Sequence, residues 1–281
     1  MAEPVAKVDA VTFALLNAVA KATEMVAVRW MVTGAWGRVL LLETVYGLPA
    51  GRATQDVDFA VMVESWPHYD RLVAAICRDP EFTQDPKQGQ RIRYRAEFYL
   101  DLVPFGGVES DTQQIAWPPQ GDFVMSVSGF RDALADAVPV RVNNALWVPV
   151  VSPVGLLVLK LLAWRERHNR DPGRDAADIA YVLRQAASLI TGPMLFDEHL
   201  ALVSGLEYDI DLAAAYVLGE RVCGLASAKT QEQLATILAP LATEGEDAML
   251  VRDVTARMPG EDHARVGARL IQFKAGFEAG F

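Results

Sequence analysis

Cysteine is scarce: Cys77 and Cys223 are the only two in 281 residues. They are too few and too far apart for a disulfide scaffold or a zinc knuckle. The four histidines (His68, His168, His199, His263) show no ligand spacing, so each reads as a surface or interface residue rather than a metal ligand. No apolar run is long enough to span a membrane. Residues 1–10 carry an early acidic residue and no basic-then-apolar leader pattern. The expectation is a cytoplasmic protein with no membrane partner. Several catalytic signatures are missing too. There is no Gly-x-x-x-x-Gly-Lys-Ser/Thr, Gly34 and Gly37 lack dinucleotide-fingerprint spacing, and no Gly-x-Ser-x-Gly elbow or Cys/His nucleophile pair occurs. Positive charge is in deficit, with 26 Lys and Arg against 36 Asp and Glu and a net charge of −10. This argues against non-specific nucleic-acid binding over the whole surface, while leaving room for a local basic groove.

What remains is an ordinary globular composition, 52% hydrophobic and 22% charged, with material for a sizeable core. The length suits two compact domains or one large one. The stretch Thr33 to Val63 organises the chain. An apolar run, Val26 to Val32, reads as a short buried strand. The turn Gly34-Ala35-Trp36-Gly37 then opens a helical segment, Ala35 to Tyr46. After a Gly/Pro/Arg-rich loop comes a strand, Gln55 to Val63, with Asp56 and Asp58 at its start and a continuous apolar run from Phe59. Strand side chains alternate, so the two carboxylates share a face, roughly 6.5–7 Å apart along the chain. Like charges on one face repel, and carboxylates at the mouth of a buried strand are costly without a partner. The plain alternative is a solvated strand edge. A divalent cation resolves the conflict, and Mg²⁺ favours one or two carboxylates plus substrate phosphates.

Upstream, Val8 to Val26 has helical apolar spacing (Val8, Val11, Leu15, Leu16, Val19). Downstream, Trp66 to Cys77 is an amphipathic helix with Pro67 near its start. Arg78 to Gly89 is turn-rich, and Gln90 to Pro104 reads as two strands or one bent one. Asp101 lies inside that otherwise apolar run. It is either salt-bridged to a nearby arginine or a third metal-site carboxylate that could take a proton from an attacking hydroxyl. Residues to Pro119 read as loop. A short helix (Ser128 to Asp136) and two strand-like runs (Val138 to Val142, Leu146 to Val151) follow.

Ser152-Pro153 is a helix start, and the remainder is almost wholly helical. The expected domains are 1–151 and 152–281. Val154 to Trp164 is apolar except Lys160, which either snorkels or faces anionic phosphate. Asp171-Pro172-Gly173 breaks this helix, and Arg174-Asp175-Ala176-Ala177-Asp178-Ile179 opens the next. Asp175 and Asp178 share a face. The helix dipole accounts for Asp175, whereas Asp178 lies deeper and needs Lys160 or an arginine as partner. Of the two basic clusters, Lys87/Arg91/Arg93/Arg95 reads as a solvated face. Arg165/Arg167/Arg170/Arg174 is a candidate binding surface. Beyond Met194, helical patterns recur (Asp211 to Leu225, Gln231 to Leu238, His263 to Phe277), and the tail's basic residues (Arg252, Arg257, Arg265, Arg269, Lys274) read as solvated.

These residues together resemble the nucleotidyltransferase superfamily that includes DNA polymerase beta. The features are a Gly turn at a strand–helix junction, Thr54-x-Asp56-h-Asp58-h on a strand, and a later Asp101 in Leu100-Asp101-Leu102-Val103-Pro104-Phe105-Gly106. Lys160, the arginine cluster and Arg174-Asp175-x-x-Asp178-Ile179 narrow the resemblance to the AbiEii/AbiGii toxin type, over about Val28 to Gln185. The resemblance implies an α+β fold, a nucleotidyltransferase-like mixed sheet flanked by helices, followed by a helical C-terminal domain that completes the active-site cleft. It implies Mg²⁺ as cofactor, held by Asp56, Asp58 and Asp101, with Asp101 in the general-base position. Gly34 and Ala35 at the turn, Arg52, Thr54, Lys160 and Asp175 would bind nucleotide. Lys160 would neutralise phosphate charge, and Asp178 would complete the last acidic motif. The implied reaction moves an NMP from an NTP to a hydroxyl acceptor, either an RNA end such as tRNA, with the arginine clusters along its path, or a small molecule. The implied protein partner is a cognate antitoxin. The family usually has Gly-Gly or Gly-Ser at the turn, and Gly34-Ala35 departs from it. That departure motivates the alternative of a catalytically inactive fold that binds a nucleotide or a protein.

Overall fold

The computed structural model describes residues 5–49, 56–95, 97–118 and 121–281. It divides into two compact units, Met1–Ser152 and Pro153–Phe281. The first runs β1 (Val5–Ala6), α1 (Ala10–Val26), β2 (Arg29–Thr33), α2 (Gly34–Arg38), a wider π-type continuation (Val39–Val45), β3 (Asp56–Val63), α3 (Trp66–Ile76), β4 (Phe82–Gln84), β5 (Arg91–Tyr94), β6 (Phe98–Gly106), β7 (Gln114–Ala116), β8 (Val124–Ser126), α4 (Phe130–Ala135), β9 (Val138–Val142) and β10 (Leu146–Val150). Eight strands form one mixed sheet in the order β1-β9-β10-β2-β3-β6-β5-β4, and β7 and β8 pair separately. The architecture is α+β, a large mixed sheet flanked by helices with a helical C-terminal region, as the family resemblance implies.

Local chemistry sets most boundaries. Asp9 caps α1, accepting from the Val11 and Thr12 amides, and Ser65 caps α3, accepting from the His68 amide with Pro67 in the first turn. Leu15, Leu16 and Val19 of α1 are buried, as are Leu72 and Ile76 of α3, and the two helices pack on each other. The continuous apolar run after Asp58 makes β3 a central strand, antiparallel to β2 and parallel to β6. Buried strands need no alternation, because both faces are covered. Two stretches read as turn or loop contain strands of three residues, Phe82–Gln84 and Gln114–Ala116. They are too short to show a period-two pattern and are set by pairing with β5 and β8.

The second unit is helical: α5 (Pro153–Arg167), α6 (Pro172–Arg184), α7 (Ala186–Leu189), a π-type turn (Met194–Glu198), α8 (Leu200–Gly205), α9 (Ile210–Leu225), α10 (Ala228–Leu238), α11 (Pro240–Thr243), α12 (Met249–Thr255) and α13 (His263–Ala279). Helices α9 and α13 cross closely: a Cβ at Gly219 would strike the Phe273 carbonyl, and one at Gly276 the Tyr216 carbonyl. The tail's basic residues are not all a solvated face. Arg269 is 8% exposed and bonds Asp211 at 2.8 Å and Glu261 at 2.5 Å, while Arg265 pairs with Asp209 and Asp211. Asp209 and Asp211 lie more than fifty positions away, at the start of α9, so sequence proximity could not reveal those pairs. Among the described residues no helix is long and apolar enough to cross a membrane.

Candidate active site

The acidic face is built by register. Asp56 and Asp58 lie two apart on β3, both half-buried, with Val57 between them buried on the opposite face. Parallel pairing sets Asp58 beside Asp101 and Asp56 beside Tyr99 on β6. Registered neighbours in a sheet point the same way, so the three carboxylates share one face. On the other side of β3, Thr33 of β2 pairs with Asp58, and the chain turns at the next residue. That residue is Gly34, with φ +61°. A Cβ at Gly34 would collide with the Asp58 carboxylate, so both the backbone angle and the close approach require glycine. The turn thus leaves a small backbone-lined cradle against Asp58.

Arg91 completes this face. It stands opposite Asp101 in the antiparallel β5–β6 pair. Its Nε and Nη2 donate to the two Asp101 oxygens at 2.8 and 2.7 Å, and Nη2 also reaches Asp56 at 3.5 Å. The guanidinium lies over the Tyr99 ring, 4.9 Å from its centroid. These bonds to Asp101, ahead of opposing burial, push the Arg91 pKa further above its ordinary value. The neighbouring Tyr69 hydroxyl donates to the Gly89 and Leu102 carbonyls. Burial first, then the Asp101 charge, raises its pKa and keeps it a neutral donor.

The solvated-face reading of this basic run fails at Arg91, which holds Asp101, and at Arg93, which holds the buried Asp85 at 2.5 Å, while Lys87 and Arg95 are exposed, Arg95 pairing with Glu81 at 2.7 Å. Hairpin counting carries the signal for Arg91. A turn pairing Tyr94 with Phe98 also pairs Arg91 with Asp101. The salt-bridge alternative for Asp101 is thus the arrangement present. Among the described residues, no three His, Cys, Asp or Glu side chains stand as a ready-made metal cage. The donor chemistry nonetheless fits a hard divalent ion: carboxylate oxygens on one half-open face, beside a glycine whose bare backbone lies against Asp58. Arg52 and Thr54, expected nucleotide contacts, lie outside the described residues. Ala35 follows Gly34 in the first turn of α2 and brings only a methyl group there.

The helical unit holds the second set of predicted residues. Asp171 caps α6, accepting from the Arg174 amide at 3.2 Å with Pro172 in the first turn. Asp175 is the deeper of the two α6 carboxylates, 1% exposed, against 14% for Asp178. This reverses the sequence expectation, in which the helix dipole sufficed for Asp175. A buried carboxylate needs direct partners, and Asp175 has them. Arg167 of α5 donates from Nε and Nη2 at 3.0 and 2.7 Å, and Lys160 lies at 3.4 Å. Lys160 also pairs with Asp178 at 2.6 Å, one of the two partners, Lys160 or an arginine, that the sequence left open for it. Arg167, assigned from sequence to a basic binding surface, therefore joins α5 to α6.

A glycine turn at the end of one strand, an Asp-x-Asp on its antiparallel neighbour and a third aspartate on the next parallel strand are the arrangement that the nucleotidyltransferase resemblance implies. A sequence model of one family, described as "Nucleotidyl transferase AbiEii toxin, Type IV TA system", matches residues 40–204, and the chain belongs to that family. No curated protein matches the chain by sequence. Among solved structures it is similar to the antibiotic-resistance factor ANT(2'')-Ia, with 12% identity and TM-score 0.38 over 70% of this chain and 98% of that one. It is also similar to an antigenic nucleotidyltransferase-like protein from Paracoccidioides brasiliensis, with 18% identity and TM-score 0.40 over 73% of this chain and 95% of that one. The Thermotoga maritima CCA-adding enzyme complexed with tRNA is a third, with 11% identity and TM-score 0.27 over 97% of this chain and 82% of that one.

Proposed function

We propose that this nucleotidyltransferase moves an NMP from an NTP to a hydroxyl acceptor with the help of Mg²⁺. The observation that carries the reading is the shared face of Asp56, Asp58 and Asp101, set by the β3–β6 register and opening onto the Gly34 cradle. Asp56 and Asp58 would hold the ion, with Asp101 a third acid beside them. The ion would supply charge neutralisation at the triphosphate and orientation of the reacting oxygens. The chain's own groups do the rest. The Gly34 backbone approaches the phosphates where any side chain would strike Asp58. Asp101 lies beside Asp58, in position to orient and accept a proton from the acceptor hydroxyl once Arg91 yields it. In the helical unit Lys160 is the candidate cation for phosphate charge, with Asp178 holding its ammonium and Asp175 anchoring the pair. Catalysis of this kind is positioning plus electrostatics. The family points to a toxin half, and we assign it a cognate antitoxin as partner. An RNA end such as tRNA and a small hydroxyl compound are both open as acceptor.

The test incubates the protein with each of four α-labelled NTPs and Mg²⁺, with total tRNA or a panel of small hydroxyl compounds. Transfer should occur with at least one acceptor and vanish in Asp56→Ala and Asp58→Ala while the circular dichroism stays native. Full transfer in both variants overturns the mechanism. Gly34-Ala35, which offers no turn hydroxyl, favours a second reading, a nucleotide-binding module without turnover. Calorimetric NTP binding without pyrophosphate release would select it.

A further inference from the structure

We infer that Arg91 is a resident cation that competes with the divalent metal for the acidic face, and so sets how tightly the metal binds. The inference rests on the reading of Asp56, Asp58 and Asp101 as a metal site. Three carboxylates on one face of two adjacent strands repel one another unless a cation stands among them. Arg91 fills that role: it takes both oxygens of Asp101 and reaches Asp56 from the same nitrogen that serves Asp101. Arg93, its neighbour on the same strand, is committed to Asp85.

The geometry limits where Arg91 can go. Its Cα is fixed opposite Asp101 by the β5–β6 pairing, and its guanidinium rests on Tyr99. A divalent ion arriving at Asp56 and Asp58 therefore meets a positive charge a few ångströms away. To gain Asp101 it must take it from a bidentate guanidinium, among the strongest of protein hydrogen-bonded pairs. The side chain is 21% exposed, so release toward solvent or toward an incoming phosphate is sterically open. A guanidinium matches phosphate as well as carboxylate. Arg91 is a positioning residue in this scheme, holding Asp101 in place until the metal and nucleotide arrive.

Mn²⁺ affinity of the full chain, read from water-proton relaxation, tests this without turnover. Removing the charge in Arg91→Met should tighten Mn²⁺ binding by about tenfold or more, because a like charge within a few ångströms is lost. Arg91→Lys keeps the charge and should stay close to wild type. Unchanged or weaker binding in a folded Arg91→Met overturns the competition. A measurement on the wild-type chain does not depend on any variant folding: the Arg91 Nε–H resonance in ¹⁵N NMR should move as Mg²⁺ saturates the protein. A resonance that stays in place with Mg²⁺ bound also overturns it. Asp58→Asn separates the two levels. If Mn²⁺ binding survives that change undiminished, or if neither wild type nor Arg91→Met binds Mn²⁺, the metal-site reading itself falls and takes the competition with it. If Asp58→Asn loses Mn²⁺ and Arg91→Met matches wild type, only the role of Arg91 is wrong.

Discussion

Two clusters of aspartate and guanidinium use the same chemistry to different ends. In the helical unit, Asp175 is sealed from solvent and receives Arg167 through two nitrogens with Lys160 beside it. In the sheet unit, Asp56 keeps 40% of its side chain exposed, and the Arg91 guanidinium reaches both it and Asp101. A buried carboxylate with its partners in place fastens elements together. Removing one partner strands a charge in a medium that solvates it poorly. A half-open carboxylate face stays within reach of solvent and of an incoming ion. Burial, more than residue type, separates Asp175 from the acids of the sheet face.

Substitutions should widen this contrast or erase it. The largest effect is expected from Asp56→Ala and Asp58→Ala, which should each lower NMP transfer by about a hundredfold to a thousandfold or more with an unchanged melting temperature. A large stability loss in either would make the sheet cluster structural too. Asp175→Ala should behave in the opposite sense, costing about 3–5 kcal/mol in denaturant unfolding because Lys160 and Arg167 lose a buried partner. Native stability there would erase the distinction. Gly34→Ala should fall between the two, losing about 1–2 kcal/mol from the left-handed backbone. It should also lose transfer activity, since the methyl group would displace the Asp58 carboxylate. Both can be read from one preparation by calorimetry and assay.

The smallest effect is a pH dependence in the helical unit. Hydrogen bonds from Arg265, then the Leu212 amide, hold the Asp209 carboxyl below the usual carboxylate range against opposing burial. A depressed folded-state pKa gives stability that is present above the unfolded value and lost as pH falls through the folded one. Asp209→Asn should therefore melt below wild type near neutral pH, and the gap should close under acid conditions. A gap that persists at low pH would mean that packing, not charge, sets the effect.

Much of the sheet unit was legible in order. The helix beginning near Val8, the helix starts at Trp66-Pro67 and Ser152-Pro153, the strand Gln55 to Val63 where it is described, and the strands Val138 to Val142 and Leu146 to Val151 follow from breakers, helix-start residues and apolar runs. Those signals act within a few residues of one another. The short strands β4 and β7 were not legible, because three residues carry no period and depend on the strand beside them. Among the candidate site residues, the shared face of Asp56 and Asp58 could be read from spacing on one strand, whereas for Asp178 the sequence offered Lys160 or an arginine without choosing between them. The reversal at Asp175 could not, because burial depends on which helix packs over α6. The ion pairs of Arg265 and Arg269 with Asp209 and Asp211 span more than fifty positions and leave no trace in local composition.

Linear pattern was enough to establish strands followed by helices, the acids on β3 and the glycine turn before them, since backbone geometry and side-chain alternation are local properties. It offered Asp101 a nearby arginine without choosing Arg91, and it did not give Asp175 as the carboxylate out of water. Those outcomes depend on strand register and helix packing, where groups distant along the chain meet in a low-dielectric interior, and charge interactions become strong enough to choose partners.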